Sequence, residues 1–273
     1  MHKIAQEEKE EDLLLQMVSD KRKRMPKLGG LKLHNLLKDE IHQNNIKMGR
    51  DKLYAFLKAH GLLIRRTKKA FITTDSKHHF FKSPNLIKDL KIDHSEKVWV
   101  NDITYINLED GHAYLALVTD AYSKKIMGCS IKDNMKVGLV KEALQMAINN
   151  RSFDYDSIIH HSDRGIQYCC PDFSEFAQKK GMVLSTTQKY DPYENAVAER
   201  INGILKYEFG MGKTLPNLKI AQMMLSQAVD IYNKERPHLS LSLKTPQQAH
   251  ILQSHIYKSY KNEKYNMFCC KKC

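Results

Sequence analysis

The sequence predicts an α/β fold: a mixed five-stranded sheet with helices on both faces, preceded by a small helical segment. Three observations point there. Residues 97–132 hold three strand-like stretches separated by turn residues. Residues 136–185 then alternate helical and strand patterns, and residues 7–61 show only helical spacing.

Residues 7–24 read as a polar helix that ends before Pro26. In LKLHNLLKDEIHQNN, residues Leu31, Leu33, Leu36, Leu37 and Ile41 are spaced for one helical face. In GRDKLYAFLKAHGLLIRR, residues Leu53, Phe56 and Leu57 form an apolar stripe and Gly61 a stop. KVWVNDITYINL alternates, with Trp99, Ile103 and Tyr105 directed one way, and Glu109-Asp110-Gly111 turns the chain. HAYLALVTDAY and KKIMGCSIK follow as second and third strands around a turn near Ser123, an antiparallel meander. Next come a helix near 136–150, a strand at 157–160, a helix at 171–180, a strand at 182–185, and helices near 195–209 and 218–235. The expected organisation is a basic helical segment (1–66), a linker or arm without sustained periodicity (67–95), the α/β core (96–250) and a basic, cysteine-containing tail (251–273).

Charge separates the first segment from the rest. The net charge is +13, and residues 21–100 carry 20 basic against 7 acidic side chains, whereas residues 101–273 carry 22 against 18. That is the footprint of a polyanion-binding module attached to something else. Helices with a basic edge suit a helix-turn-helix whose second helix enters a DNA groove. Arg50, Lys52, Arg65, Arg66, Lys68 and Lys69 are the candidate contacts. Periodicity alone does not separate this from a small bundle with a solvated charged face. No apolar run approaches the ~18 residues of a membrane span, and MHKIAQEEKEED is too acidic for a signal peptide. A cytoplasmic protein is expected. The six cysteines agree, since Cys169-Cys170 and Cys269-Cys270 are adjacent pairs rather than a disulfide framework. Cys270 and Cys273 form a lone CxxC with no second ligand pair for zinc.

The stretch IIHHSDRGIQYCC raises the question of chemistry. A short apolar strand runs into Asp163, flanked by His161, Ser162 and Arg164, which would orient it or contact phosphate. Asp102 lies mid-way along the first strand, and the topology can set the first and fourth strands side by side. On a helix starting near Asn195, residues Val197, Ile201, Ile204 and Leu205 fall on the buried side, while Glu199, Asn202 and Lys206 fall opposite. Three converging carboxylates repel unless cations neutralise them, and hard oxygen ligands select Mg²⁺ or Mn²⁺. Two such ions about 3.5–4 Å apart clamp the attacking and leaving oxygens of a phosphodiester. Asp120 is a rival acid near a strand end, although TDAYSKK reads more naturally as a turn.

WVNDITYI, YLALVTDAYSKKIMG, IIHHSDRGIQY, STTQKYDPYENAVAERINGILKYE and YNKERPHLSLSLKTP, in that order, resemble the insertion-sequence transposases with a retroviral-integrase-type core. The kind encoded as the second of two overlapping frames (OrfB) is most similar. The 35 residues between Asp163 and Glu199 are the interval typical of this DDE group. The resemblance spans about residues 30–250 and implies an RNase H-like core with Asp102, Asp163 and Glu199 as metal-binding triad. It also implies Gln188 and Lys189 in a DNA-contacting loop. Read residue by residue, Asn195 is placed to cap the Glu199 helix, and Arg200 and Lys206 are either contacts to backbone phosphate or, more in keeping with each alone, solvated helix charges. Tyr232, Asn233, Arg236, Pro237 and His238 match the closing motif, expected to dock the last helix. Glu194 stands where the family usually has Asp, and Lys125 where Arg is common, which weakens bidentate phosphate contact there. The implied activity is DNA strand cleavage and strand transfer at the ends of an insertion element, using two Mg²⁺ or Mn²⁺ ions. The implied setting is bacterial and nucleoid-associated, on double-stranded DNA of element ends and target, as a homo-oligomer, with a possible upstream-frame partner protein. A structure-specific nuclease and a catalytically silent DNA-binding derivative are the alternatives.

Overall fold

The computed structural model describes residues 2–64, 80–188 and 195–253. Its centre is a five-stranded mixed sheet of order β3-β2-β1-β4-β5. The strands β1 (Val98–Leu108), β2 (Gly111–Asp120) and β3 (Ile126–Lys132) form the antiparallel meander. The strands β4 (Ile158–Ser162) and β5 (Met182–Thr186) run parallel to β1 and to each other. The central strand β1 therefore lies beside β4, with Asn101 opposite Ser162.

Two strand ends differ from the sequence expectation. The strand β4 continues to Ser162 rather than stopping at His160, so Asp163 follows it directly. The strand β3 starts at Ile126, not Lys124, because Lys124 takes φ 63° and closes a turn in which Asp120 N donates to Lys125 O at 2.8 Å. That left-handed backbone cannot continue a strand.

Successive residues of β1 alternate between two cores, as a strand covered on both faces must. Trp99 joins Val118, Met127, Leu139, Leu144 and Phe173 on one side. Val98 and Val100 join Leu117, Ile201, Leu205 and Leu225 on the other. Helices α4 (Val137–Asn149) and α6 (Pro171–Lys179) cover the first face, and α7 (Ala196–Glu208) and α8 (Leu218–Lys234) cover the second. Gly128 sets how closely α4 approaches. A Cβ there would lie 2.1 Å from Ala143 O and 2.6 Å from Ala147 N.

Ahead of the sheet stand α1 (His2–Arg24), α2 (Gly30–Gln43) and α3 (Arg50–Ala59). Leu33, Leu37, Ile41, Leu53 and Leu57 are buried as the spacing requires, but Leu31 faces outward. Gly61, at φ +66°, follows α3 as the expected stop. These helices share one continuous apolar cluster with the α7–α8 side of the sheet. A polar joint reinforces that packing. Arg24 pairs with Glu235, Lys32 Nζ lies 3.6 Å from Glu208, and Lys27 Nζ sits 4.7 Å above the Tyr207 ring. Glu208 in turn accepts both arms of the buried Arg236 guanidinium, at 2.7 and 2.8 Å.

Two helices escaped the sequence reading. The four-residue α5 (Ile166–Cys169) is too short to show a period. The helix α9 (Pro246–Leu252) is announced only by its capping box, Thr245 with Gln248, and by Pro246 in its first turn.

Candidate active site

Asp102 lies on β1, Asp163 directly after β4, and Glu199 in the first turn of α7. Because β1 and β4 are hydrogen-bonded neighbours and α7 packs on β1, the three carboxylates gather at one corner of the sheet. Their fields overlap. Burial, and then the charge of Asp163, raise the pKa of Asp102 to about 7, with Glu199 adding to the push. Burial and Asp163 likewise raise Glu199. Repulsion of this kind is what an acidic cluster shows without a counter-cation. Among the described residues, however, no three His, Cys, Asp or Glu side chains are drawn into a ready ligating cluster.

Local bonds fix two of the acids. Asp102 Oδ2 accepts from Asn202 Nδ2 at 2.8 Å, one turn along α7 from Glu199. Asp102 Oδ1 accepts from Ile103 N at 3.0 Å. Asp163 Oδ1 accepts from Gly165 N at 3.0 Å, a tight turn in which a Cβ on Gly165 would meet that same oxygen at 3.0 Å. Asn202 thus falls where its helical spacing placed it, and its partner is an acid of the site. Lys206 is half-buried. Burial lowers its pKa, and the Asp102 charge opposes that.

Several other expected site residues bond within the fold. His161 is fully buried, its Nδ1 2.9 Å from Ser185 Oγ, which also accepts from Leu86 N. Ser162 is buried, and its hydroxyl donates to Asp163 O at 2.9 Å. Asn195 stands at the N-cap of α7 but makes no side-chain cap; its Nδ2 donates to Asn101 O at 3.0 Å and ties the helix start to β1. Gln188 Nε2 donates to Ser83 O at 3.0 Å, holding the arm. Arg200 is exposed, and its charge is felt by Lys32, Glu208 and His238 at the polar joint. Arg164 is partly exposed beside Asp163. Lys125 is buried near Glu96 and Asp120. In the N-terminal helices Arg50 pairs with Asp51 at 2.8 Å and Lys52 is exposed. Arg65, Arg66, Lys68, Lys69, Lys189, Glu194 and the cysteine-containing tail past residue 253 lie outside the described residues.

Asp120, the rival acid, is a structural turn residue. Its Oδ1 accepts from Glu96 N at 2.8 Å and its Oδ2 from Ser123 N at 2.8 Å. Around it a fully buried cluster forms. His250 Nδ1 is 3.0 Å from Ser123 Oγ, and His250 Nε2 is 3.1 Å from Glu96 Oε1. This cluster pins α9 to the sheet, which nothing in the spacing of Glu96, Asp120 and His250 announced. The closing motif does dock α8: Tyr232 OH donates to Lys124 O, and the Asn233 amide pairs with Ile126 N and O.

Residues 92–192 and 180–246 match two models of the integrase core domain. The chain is 32% identical to the insertion element IS600 uncharacterized 31 kDa protein of Shigella sonnei, over 77% of this chain and 78% of that one. It is 28% identical to the transposase InsF for insertion sequence IS3fB of Escherichia coli (strain K12), over 78% and 74%. The chain belongs to the integrase-core transposases of insertion sequences. Among solved structures, a chain of the simian T-cell lymphotropic virus intasome shares the fold at TM-score 0.50 and 18% identity, covering 82% of this chain and 70% of that one. The mixed sheet of this transposase is therefore the RNase H-like core that the motifs implied. Among the described residues no helix is long and apolar enough to cross a membrane. Tyr168 is the member of this corner that the sequence did not reveal: burial, then Asp163 and Asp102, push its phenol well above the usual value.

Proposed function

We propose that this transposase cleaves DNA strands at the ends of its insertion element and joins them to new phosphodiesters, using divalent metal ions. The observation that supports it is that β1, carrying Asp102, pairs with β4, which Asp163 follows, and packs against α7, which carries Glu199 in its first turn. The donor set is all carboxylate oxygen, which suits Mg²⁺ or Mn²⁺ and not softer metals. Asp102, Asp163 and Glu199 would hold the ions, whose chemistry is to acidify water and neutralise charge building on a phosphate. The chain's own work is positioning. Asn202 fixes the direction of Asp102, and the Gly165 amide fixes Asp163. Lys206 brings a cation to the edge of the site. Water attacks the phosphorus at the element end and expels the strand's 3′-OH; that hydroxyl then attacks the phosphorus of a second phosphodiester, whose own 3′-oxygen leaves, with no covalent enzyme intermediate.

In this reading residues 1–66 hold element-end DNA through phosphate contacts, residues 96–250 act on it, and copies of the chain pair two ends. The basic excess of residues 21–100 supports the first point. The experiment is incubation with a labelled duplex taken from DNA flanking the coding region, in Mg²⁺. Cut strands and longer joined strands are expected. Cut strands alone would make the protein a nuclease; binding without cutting would make it a silent DNA-binding protein.

A further inference from the structure

The polar joint between the N-terminal helices and the sheet gathers more positive charge than its acids offset. Lys32 of α2, Lys124 between β2 and β3, Arg200 of α7 and Arg236 beyond α8 all act on the imidazole of His238. Glu208 answers Arg236, accepting both arms of its guanidinium, and Asp120 acts on Lys124. Lys32 makes a looser approach, 3.6 Å, to the same Glu208. Arg200 is exposed and makes no ion pair among the described residues. Lys32 and Arg200 are the surplus.

A surplus cation is costly where water is excluded. The Lys32 side chain is only 13% exposed. Burial, then Arg236, lowers its pKa to about 8, with Glu208 opposing and Arg200 adding to the fall. His238 supplies an independent observation. It is 7% exposed, and its ring stands edge-on to Tyr232 with centroids 5.2 Å apart. Its Nε2 is buried and has no hydrogen-bond partner among the described residues. Buried polar atoms are nearly always paired, so an orphan of this kind calls for a ligand or water. Burial and the four cations hold the imidazole neutral, which leaves Nε2 able to carry a proton and donate it.

We infer that Lys32, Arg200 and His238 form a site for one phosphate group at the joint between α2 and α7. A guanidinium fork at the rim, an ammonium inside it and a buried N–H donor are the groups that bind a tetrahedral oxyanion. The Glu208–Arg236 pair is their floor. The site exists only while α2 lies against α7, so a phosphate held there ties the basic helical segment to the sheet. A DNA backbone phosphate and a free phosphate offer the same chemistry. The backbone is the source that position favours, because Arg200 directly follows Glu199 and a strand at the carboxylates passes this rim. The site goes beyond the strand-cleaving function proposed above and does not depend on it.

The test needs no activity and uses the full chain in EDTA. The protein receives a brief pulse of N-hydroxysuccinimidyl acetate near neutral pH, and acetylation of each lysine is read by peptide mass spectrometry. Inorganic phosphate, against chloride at equal ionic strength, should slow acetylation of Lys32 and leave the exposed Lys219 unchanged. A short DNA duplex should protect Lys32 as well. The variants are Arg200→Gln, whose side chain is exposed, and His238→Phe, which keeps a ring against Tyr232; each is checked for an unchanged melting temperature. A hydrogen bond to a charged group is worth about a factor of ten or more. Each variant should therefore raise the half-protecting phosphate concentration by roughly that factor. Protection by phosphate but not by duplex would keep the site and assign it to a free phosphate. No protection of Lys32 by either, or protection that Arg200→Gln leaves unchanged, would overturn the site while leaving the transposase reading intact.

Discussion

At the residue scale, what matters is which partner each polar group found. Asn202 Nδ2 donates to Asp102 Oδ2. Groups that orient metal-binding side chains typically change metal affinity 10–100-fold when removed. Asn202→Ala should accordingly raise the Mg²⁺ concentration for half-maximal cleavage by at least tenfold with DNA affinity unchanged; an unchanged metal requirement would remove Asn202 from that role. The buried Glu96–Asp120–His250 cluster makes a separate prediction about pH. Burial opposes the imidazolium of His250, but its bonds to Asp120 and Glu96 outweigh that and raise its pKa above 6.5, with Lys125 acting against them. Burial likewise opposes the Asp120 carboxylate, and His250 and Ser123 reverse the balance, placing it below 3.8. The stabilisation through His250 is thus complete below about pH 6.5 and lost as pH rises through its raised pKa. That through Asp120 is complete above its ordinary value and lost as pH falls through the lowered one. Melting temperature should decline on the alkaline side of this window, and His250→Gln should flatten that decline. An identical alkaline slope in the variant would refute the assignment. The same residues show what a sequence can and cannot disclose. Asp163 was legible because the apolar strand delivers it to a turn. Lys125 and Asn195 were not, since side-chain direction depends on neighbours far along the chain.

At the scale of elements, contact between layers decides the outcome. The alternation of β1 and the turn at Glu109-Asp110-Gly111 made the meander legible, because the pleat period is local. Helix α4 sits on β3 only because Gly128 has no Cβ, a tertiary requirement that leaves no periodic trace. With backbone atoms at 2.1 and 2.6 Å from the added carbon, Gly128→Ala cannot be absorbed by a rotamer change. It should cost about 1–3 kcal/mol or more, the range of overpacked cores, read as a lower denaturation midpoint. An unchanged midpoint would mean that α4 lies farther out. The joint between the N-terminal helices and α7 is the second such contact. Burial opposes ionisation of Glu208, yet the Arg236 fork holds it ionised, and burial with Arg236 lowers Lys32 to about 8. Removing one partner of such a pair leaves a buried charge uncompensated and typically costs about 3–5 kcal/mol. Arg236→Met should show that loss in chemical denaturation, and the double variant with Glu208→Gln should recover part of it. A double variant no better than the single one would deny the coupling. Helices α5 and α9 were missed for a physical reason: elements of four and seven residues are too short for a moment to emerge.

For the whole molecule, charge and topology divide the work. The antiparallel-then-alternating pattern reached a mixed sheet and allowed β1 and β4 to be neighbours without requiring it; the order of motifs, through the family resemblance, supplied the RNase H-like arrangement in which they pair. The placement of the N-terminal helices against α7 and α8 was not legible, since it rests on Arg24, Lys27 and Lys32 meeting residues more than a hundred positions away. The basic excess predicts that affinity for duplex DNA falls steeply and linearly on a logarithmic salt scale. A salt-independent affinity would contradict a phosphate-tracking surface. The central claim is that three acids form one phosphoryl-transfer centre. Its most direct test is cleavage and joining of labelled element-end DNA in Mg²⁺ by the natural protein and by Asp163→Asn, with DNA affinity measured alongside. The account predicts that the variant binds DNA as the natural protein does and forms neither cut nor joined strands. A variant that cuts and joins at the natural rate would contradict it.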